Sequence, residues 1–275
     1  MTSKTVTLTV TSPTTYRALL IGEVSFSPVC NRNWGDVILM RDMLAGINGP
    51  DGGSYTSVCE KDLDYEGIHQ AIESAFAGAC EDDVSLFFLA THGVVDVETG
   101  YYAGAVATYN DELIPLPVLA EWLGAVPGKV IVLLGSCGSG AAVYPNGEGG
   151  ELNFEELFNE LAIQAFAEHD VVTKEYVPNL GEFRTSKFYV LTAAQHQESS
   201  LGHEGGDPAN LFTEALVRGV NGTMPADVNG DKVVTLSELF NYIESDETIQ
   251  YYQTQGYQHT QVYPENSSYQ LFAAK

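Results

Sequence analysis

Short apolar runs alternate with segments of helical periodicity along most of this 275-residue chain. Runs such as LFFLAT and VIVLLG lack polar alternation, which is typical of strands covered on both faces. The apolar runs predict strands over Tyr16–Val24, Tyr55–Cys59, Val84–Thr91, Lys129–Gly135 and Phe188–Ala193. Helical periodicity predicts helices over Asp36–Ile47, Tyr65–Ala79, Pro117–Leu123, Phe154–Glu168 and Asn210–Val220. A small hairpin is predicted at Tyr101–Tyr109, between the third strand and its helix.

This order predicts one α/β domain over residues 1–275, with a mostly parallel sheet and helices on both faces. Residues 1–14 alternate valine and threonine, as in an edge strand or the remnant of an upstream domain. The polar tail from Gln250 ends in two strand-like pieces, HTQVY and SYQLFA. No run approaches the roughly 18 apolar residues of a membrane span. We expect a cytoplasmic protein, or a secreted or extracytoplasmic one if a leader was removed.

The charge balance limits the partners that the chain can bind. Twelve Lys and Arg residues against 37 Asp and Glu residues give a formal net charge of −25. Such a field repels nucleic acid and anionic membranes, so we expect neither as a partner. The four cysteines include no CxxC pair, which excludes a thiolate zinc cluster. No organic cofactor is expected.

Two strands end in reactive side chains. The run VSLFFLATHG delivers His92, and KVIVLLGSCGSGAA delivers Cys137. Because ligands sit beyond the carboxyl ends of parallel strands, neighbouring strands would bring both residues to one edge of the sheet. A nearby imidazole raises the thiolate fraction of a cysteine and protonates a leaving amine. We predict Cys137 as nucleophile and His92 as general acid and base, with an oxyanion held by the backbone N–H groups of Gly93 and Cys137.

These motifs resemble those of the caspase and metacaspase group of cysteine peptidases, including bacterial members. The resemblance extends over RALLIGEV, NWGDVILMRDML, ATHG, LLGSCGSGA, FYVLTAAQHQESS, NLFTEALVRGV and QVYPENSSYQLF. It implies the caspase-hemoglobinase fold, with a roughly six-stranded sheet. It also implies a cysteine endopeptidase that hydrolyses polypeptide substrates through an acyl-enzyme.

The substrate pocket departs from the metacaspase pattern. Metacaspases carry an acidic residue two positions before the nucleophile, where this chain has Gly135. The loop after the fifth predicted strand has Gln195 where further acids are expected, and Glu198 is a substitute. Arg32, in the loop before the first helix, stands where caspases bind a substrate aspartate, and it can grip a carboxylate with two hydrogen bonds. We therefore expect cleavage after acidic or uncharged polar residues rather than after Lys or Arg.

A twelve-residue segment near the end, residues 227–238, matches the EF-hand calcium loop. The predicted Ca²⁺ ligands are Asp227, Asn229, Asp231, the carbonyl oxygen of Val233 and Glu238. Lys232 occupies position six, where glycine normally permits the sharp turn, so the predicted affinity is reduced. A single loop favours a structural role for the ion over a sensor domain.

The sequence is also compatible with two alternative functions. The pattern Gly135-x-Cys137-x-Ser139 also suits the nucleophile elbow of an α/β-hydrolase with a cysteine nucleophile. That enzyme would need a histidine after the nucleophile, and the candidates are His196, His203 and His259. The second alternative is a catalytically inactive, caspase-like binding module that is stabilised by calcium.

Overall fold

The computed structural model describes residues 13–25, 31–94, 104–138, 154–170, 186–193, 209–254 and 260–275. Helices within these residues are α1 (Asn31–Gly46), α2 (Tyr65–Ala75), α3 (Leu116–Gly124), α4 (Phe154–Glu168), α5 (Leu211–Val220), α6 (Leu236–Glu244) and α7 (Glu247–Thr254). Strands within them are β1 (Tyr16–Gly22), β2 (Ile47–Asn48), β3 (Tyr55–Lys61), β4 (Val84–Val94), β5 (Ala105–Ala107), β6 (Leu113–Pro115), β7 (Lys129–Gly138), β8 (Phe188–Thr192), β9 (Val233–Thr235), β10 (Gln261–Tyr263) and β11 (Gln270–Ala274).

The main sheet has the strand order β10–β8–β7–β4–β1–β3. Strands β3, β1, β4, β7 and β8 run parallel, and β10 pairs antiparallel with β8 at one edge. The chain first moves outward from β1 to β3 and then returns to β4 on the other side of β1. The carboxyl ends of β1 and β4 therefore flank the switch point where open α/β sheets bind their ligands.

Alternate residues of the central strands enter two separate cores. On one face, Phe88 and Leu133 pack with α1, α5 and α6, and we call this the α1/α5 face. On the opposite face, Phe87 and Val132 pack with α2, α3 and α4, and we call this the α2/α4 face. These strand residues have no solvent-exposed surface, which explains why their sequence lacks polar alternation. The predicted α/β class, with a mostly parallel sheet between helices, is confirmed.

Strands β4 and β7 continue to pair beyond the point where their neighbours stop. β1 pairs with β4 as far as Ala90, and β8 pairs with β7 as far as Leu134. β4 and β7 remain paired through Gly93 and Gly138. Together they form an extension of the sheet, the β4–β7 ribbon, which comprises residues 91–93 and 136–138 and is flanked by β5 on the β4 side. The two strands are thus longer than the hydrophobic pattern predicts.

The predicted hairpin is present in the expected place, but it extends further along the chain. β5 pairs antiparallel with the end of β4, and β6 pairs with β5. The first hairpin strand, Ala105–Ala107, lies within the predicted Tyr101–Tyr109 range, and the second, Leu113–Pro115, lies beyond it. Helix α3 begins immediately after β6, so the hairpin delivers the chain directly to the α2/α4 face.

The last part of the chain closes the α1/α5 face. HTQVY contains β10, and SYQLFA contains β11, which pairs antiparallel with β2 and β9. The polar sequence from Gln250 begins inside α7, a helix that the periodicity does not predict and that continues to Thr254. That helix is fixed by the buried Ile249 and by Asp246, whose carboxylate accepts the N–H groups of Thr248 and Ile249.

Helix α1 begins earlier than its periodicity predicts. It starts at Asn31 rather than Asp36, so Arg32 lies in the first turn of the helix and not in the preceding loop. The start is held by Asn33, whose side-chain amide donates to the Glu23 carbonyl oxygen at 2.6 Å. This tertiary contact has no signature in the sequence. The side chain of Arg32 and residues 1–12 of the predicted edge strand lie outside the described residues.

Candidate active site at the carboxyl edge of the sheet

His92 and Cys137 stand opposite each other on the β4–β7 ribbon. The pairing runs from Thr91 with Ser136, through His92 with Cys137, to Gly93 with Gly138. Neighbouring strands lie about 4.8 Å apart, and register partners of parallel strands occupy the same face of a sheet. The predicted neighbouring position of the two strands is therefore correct. The side chain of Cys137 lies outside the described residues, whereas that of His92 is half-buried.

The alternation of the strands assigns both positions to the α1/α5 face. His92 follows Phe88 and Ala90 at intervals of two residues, and Cys137 follows Leu133 in the same way. Phe88, Ala90 and Leu133 all belong to the core under α1 and α5. The candidate pair is thus at the carboxyl edge of the sheet, near the beginnings of these two helices.

Gly93 is required by packing on the opposite face. A Cβ atom at this position would lie 2.9 Å from the ring of Phe158, which α4 brings against the ribbon. The ribbon is also tied to β5, since the Thr91 hydroxyl donates to the Ala107 carbonyl oxygen. Close packing against Phe158 therefore explains why a glycine follows His92. The predicted role of the Gly93 N–H in binding an oxyanion does not depend on this packing.

Gly135 belongs to the buried surface of the sheet on the α1/α5 face, just before Cys137, and we call this surface the floor. It pairs with Ala90, so two small residues lie side by side just before His92 and Cys137. A Cβ atom at Gly135 would meet the Phe88 ring at 3.5 Å and the Thr213 hydroxyl at 3.7 Å. These are ordinary van der Waals distances. The position therefore has room for a small side chain, between the Phe88 ring of β4 and the first turn of α5.

A buried polar cluster joins α1 to α5 beside this floor. The Asp36 carboxylate accepts the Asn210 backbone N–H at 2.7 Å and also accepts its side-chain amide. Asn33 accepts from the same amide at 3.4 Å. Burial raises the pKa of Asp36 to about 7. The hydrogen bonds from Asn210 lower this pKa, and the charge of Glu214 raises it further. Sequence reasoning missed this cluster, although Asp36 falls on the same helical stripe as the buried Met40 and Met43.

Glu23 is a second buried carboxyl group at this edge. It follows β1, donates its backbone N–H to the Ala90 carbonyl oxygen at 3.0 Å and has no exposed surface. One carboxyl oxygen accepts the Leu63 N–H at 3.1 Å, and the other has no hydrogen-bond partner among the described residues. Burial raises the pKa of Glu23 to about 8, with the charge of Asp62 adding to the shift. Glu23 is therefore largely protonated at neutral pH.

The remaining predicted pocket residues cannot be compared with this geometry. Gln195 and Glu198 lie outside the described residues, as do the alternative histidines His196, His203 and His259. Among the described cysteines, Cys59 on β3 and the exposed Cys80 carry free thiols. Burial raises the pKa of Cys59, which makes it a poorer nucleophile at neutral pH.

The segment 227–238 adopts the tight turns that an EF-hand loop needs. The Asp227 carboxylate accepts the N–H groups of Gly230, Asp231 and Lys232, at distances from 2.8 to 3.2 Å. Lys232 has φ +69°, so the lysine itself adopts the left-handed conformation that glycine supplies at position six. Glu238 receives a hydrogen bond from Asn229 and caps α6 through Thr235.

The second half of this loop is anchored to the rest of the chain. Strand β9 comprises positions seven to nine of the motif, and its buried Val234 pairs with Phe272 of β11. The donor set of carboxylate, amide and carbonyl oxygens suits Ca²⁺. Within the described ranges, no three His, Cys, Asp or Glu side chains converge as metal ligands.

Comparison with known proteins supports the fold and assigns no activity. No protein-family model matches this chain, and none of the curated proteins matches it. Among solved structures, the crystal structure of protein GSU0716 from Geobacter sulfurreducens is similar, with a TM-score of 0.52 and 15% sequence identity. The match covers 91% of this chain and 93% of that chain. At this identity the likeness shows a shared fold alone.

None of the helices within the described residues is both long enough and apolar enough to cross a bilayer.

Proposed function

We propose that this protein is a cysteine endopeptidase with the caspase-hemoglobinase fold, in which Cys137 is the nucleophile and His92 the general acid and base. The pairing of His92 with Cys137 on the β4–β7 ribbon is the observation that carries the proposal. The strand order supports the finer fold assignment, because the histidine strand β4 flanks the switch point and the cysteine strand β7 is its neighbour.

The reaction follows from these two groups. The Cys137 thiolate adds to the scissile carbonyl carbon, and the negative charge moves to the carbonyl oxygen. Backbone N–H groups of Gly93 and Cys137 are the proposed donors to that oxygen. The C–N bond then breaks, the imidazolium of His92 gives its proton to the departing amine, and a thioester remains. His92 next takes a proton from water, whose oxygen replaces sulfur and releases the carboxylic acid.

The site supports a preference for uncharged or acidic side chains before the scissile bond. Gly135 supplies no carboxylate to the floor, and Asp36, the nearby acid, is fully buried and engaged by Asn210. Arg32 belongs to the first turn of α1, and it is the proposed partner of a substrate carboxylate. Hydrolysis of a positional-scanning peptide library should favour acidic or uncharged polar residues. A clear preference for Lys or Arg would contradict this assignment.

Labelling with peptide acyloxymethyl ketones tests the whole proposal. The Cys137 thiolate should displace the acyloxy group from the methylene carbon next to the ketone, which forms a thioether and releases a carboxylate, and mass spectrometry of proteolytic fragments identifies the modified residue. Residue-level detection is necessary because Cys80 is an exposed free thiol. The C137S variant should remain unlabelled at that position. Modification of Cys80 alone, with Cys137 intact, would favour the inactive binding module.

The α/β-hydrolase alternative is separated by one further variant. That enzyme would use a histidine later in the chain, so H92A should retain its activity. In the peptidase, H92A should lose it, because no other described histidine is a register partner of Cys137. His169, for example, follows α4 on the opposite face of the sheet, where its ring nitrogen bonds the Ala165 carbonyl oxygen at 2.8 Å.

A structural calcium ion is the second part of the proposal. Asp227, Asn229, Asp231, Val233 and Glu238 would hold it, and the ion would supply positive charge to a loop that contains three carboxylates. The support comes from the turn conformation of Lys232 and from the β9–β11 pairing, both of which preform the loop. Bound there, the ion would fix the start of α6 against the α1/α5 face.

A further inference from the structure

Asp36 and Asn210 connect the beginnings of α1 and α5 above the candidate active site. Two hydrogen bonds join them, from the backbone N–H and the side-chain amide of Asn210 to the two carboxylate oxygens of Asp36. Asp36 has no exposed surface, and Asn210 has 3%. Asn210 is also the N-cap residue of α5, so the contact holds that helix at its first turn.

We propose that the Asp36–Asn210 pair is the positioning element of the active site: it fixes the start of α5 against α1 and thereby the wall that α5 forms beside Gly135 and Cys137. This inference rests on the proposed peptidase function. Asp36 touches neither the reacting atoms nor the substrate in this scheme, and it acts through α5.

The pair is connected to the active-site floor on the α5 side. Thr213, one turn into α5, lies 3.7 Å from the Cβ position of Gly135. Gly135 precedes Cys137 on the same face of β7. A shift at the start of α5 would therefore move the wall beside the nucleophile. Misplacement of a reacting group by about 1 Å can lower a rate about 100-fold.

The pair is connected to the histidine strand on the α1 side. Asn33 accepts from the Asn210 amide and donates to the Glu23 carbonyl oxygen at 2.6 Å. The Glu23 backbone N–H in turn bonds the Ala90 carbonyl oxygen, two residues before His92. The cluster of Asn33, Asp36 and Asn210 thus links α5 to β4, which carries His92, and α5 itself contacts β7, which carries Cys137.

A purely structural contact at this place would not need a carboxyl group. Burial of a carboxylate is costly unless hydrogen bonds compensate for lost hydration, and an apolar residue of similar size often packs as stably. Asp36 nevertheless lies on the buried side of the helix, next to Val37 and in line with Met40, where Asn33 is also a buried polar residue. Directional hydrogen bonds fix the relative position of two helices more narrowly than apolar packing does, which suits a positioning role.

Three variants test the role: D36N, N210D and the double variant D36N/N210D. The rate of Cys137 labelling is measured with a peptide acyloxymethyl ketone, whose peptide part must bind beside Cys137, and with iodoacetamide, which reports the thiol alone. In D36N we expect the peptide probe to react about 10-fold to 100-fold more slowly. The iodoacetamide rate should change by less than about 2-fold, since this small reagent does not depend on the position of α5.

The double variant exchanges the amide and the carboxylate. A donor and an acceptor still face each other, so the peptide-probe rate should recover to within about 3-fold of the original. D42N is the matched control, because Asp42 is an exposed acid on the same helix, and it should leave both rates unchanged. Equal losses with both probes in D36N, in proportion to a lower melting temperature, would overturn the positioning role.

A final measurement separates failure of this inference from failure of the proposed function. Hydrogen exchange of the amides at the start of α5 needs no catalysis, and D36N should accelerate it at Leu211–Glu214. If the peptide probe never labels Cys137 in the unmodified chain, the proposed peptidase function fails. If exchange at α5 is unchanged in D36N, the connecting role of Asp36 fails, whatever the probe does.

Discussion

The side-chain amide of Asn33 donates to the carbonyl oxygen of Glu23, so that α1 begins directly against the end of β1. This contact places two buried carboxyl groups, those of Glu23 and Asp36, on either side of one short connection. Glu23 belongs to the α2/α4 side and Asp36 to the α1/α5 side. Two buried carboxyl groups, one on each face, therefore lie at the carboxyl edge of the sheet.

The substitution Glu23→Gln should change the pH dependence of stability. The pKa of Glu23 is about 8 in the folded chain, against an ordinary value of 4.5. Its contribution to stability is thus fully present below about pH 4.5 and is lost as pH rises through 8. Gln retains an acceptor for the Leu63 N–H and carries no proton to lose. We expect thermal unfolding between pH 5 and 9 to reveal a relative gain of about 1–3 kcal/mol for the variant at the alkaline end.

Glu121→Gln is the control for that experiment, because it removes an exposed acid on α3. Its melting temperature should follow the pH dependence of the unmodified chain. Parallel curves for Glu23→Gln and the unmodified chain would contradict the burial-driven shift.

The substitutions Gly93→Ala and Gly135→Ala should differ in their effect on stability. A Cβ atom at Gly93 would approach the Phe158 ring to 2.9 Å, whereas at Gly135 the nearest atom is 3.5 Å away. Overpacking of this kind typically costs about 1–3 kcal/mol. Urea denaturation should show that loss for Gly93→Ala and a change below about 1 kcal/mol for Gly135→Ala. Similar losses at both positions would mean that α4 does not pack against the ribbon as described.

Calcium should raise the melting temperature through the loop 227–238. We expect the ion to stabilise the folded chain by mass action, and chelation to reverse the gain. Glu238→Gln should abolish the response, since a bidentate carboxylate is the last ligand of such a loop. Glu247→Gln removes an exposed acid from the nearby α7 and should preserve it. A calcium response that survives in Glu238→Gln would place the ion elsewhere.

Lys232→Gly should stabilise the same loop in the absence of added ion. Lys232 holds φ +69°, a conformation that costs a residue with a Cβ atom about 1 kcal/mol and costs glycine much less. The melting temperature measured in chelator should rise, and the calcium concentration needed for half of the shift should fall. No change in either quantity would show that the turn is not under strain.

His92→Ala should abolish peptide hydrolysis while leaving the fold intact. Removal of a general acid and base typically costs about 10²–10⁴ in rate. His69→Ala is the matched control, because His69 is stacked on Trp122 in the α2/α4 layer and is remote from the ribbon. Its kcat/KM should stay within about 2-fold of the original. Retained activity in His92→Ala would exclude the proposed dyad.

Much of the fold follows from the sequence because local periodicity reports burial. The runs LFFLAT and VIVLLG lie between two helical layers, and that environment leaves no place for polar alternation. The ends of elements were predicted less well. The strands β4 and β7 continue past Ala90 and Leu134 because they pair with each other, a property of two segments that neither reveals alone.

The sequence by itself determined the α/β class, the identity of the two residues proposed for catalysis and the calcium motif, since each depends on a local pattern of side chains. Only the tertiary structure decided that His92 and Cys137 are register partners and that Asp36 bonds Asn210. These relations join residues tens to hundreds of positions apart. The physical reason is that strand register and helix-to-helix contacts are fixed by packing of the whole chain. The pattern of residues along one segment indicates whether it forms a helix or a strand, but not which other segment it will pack against.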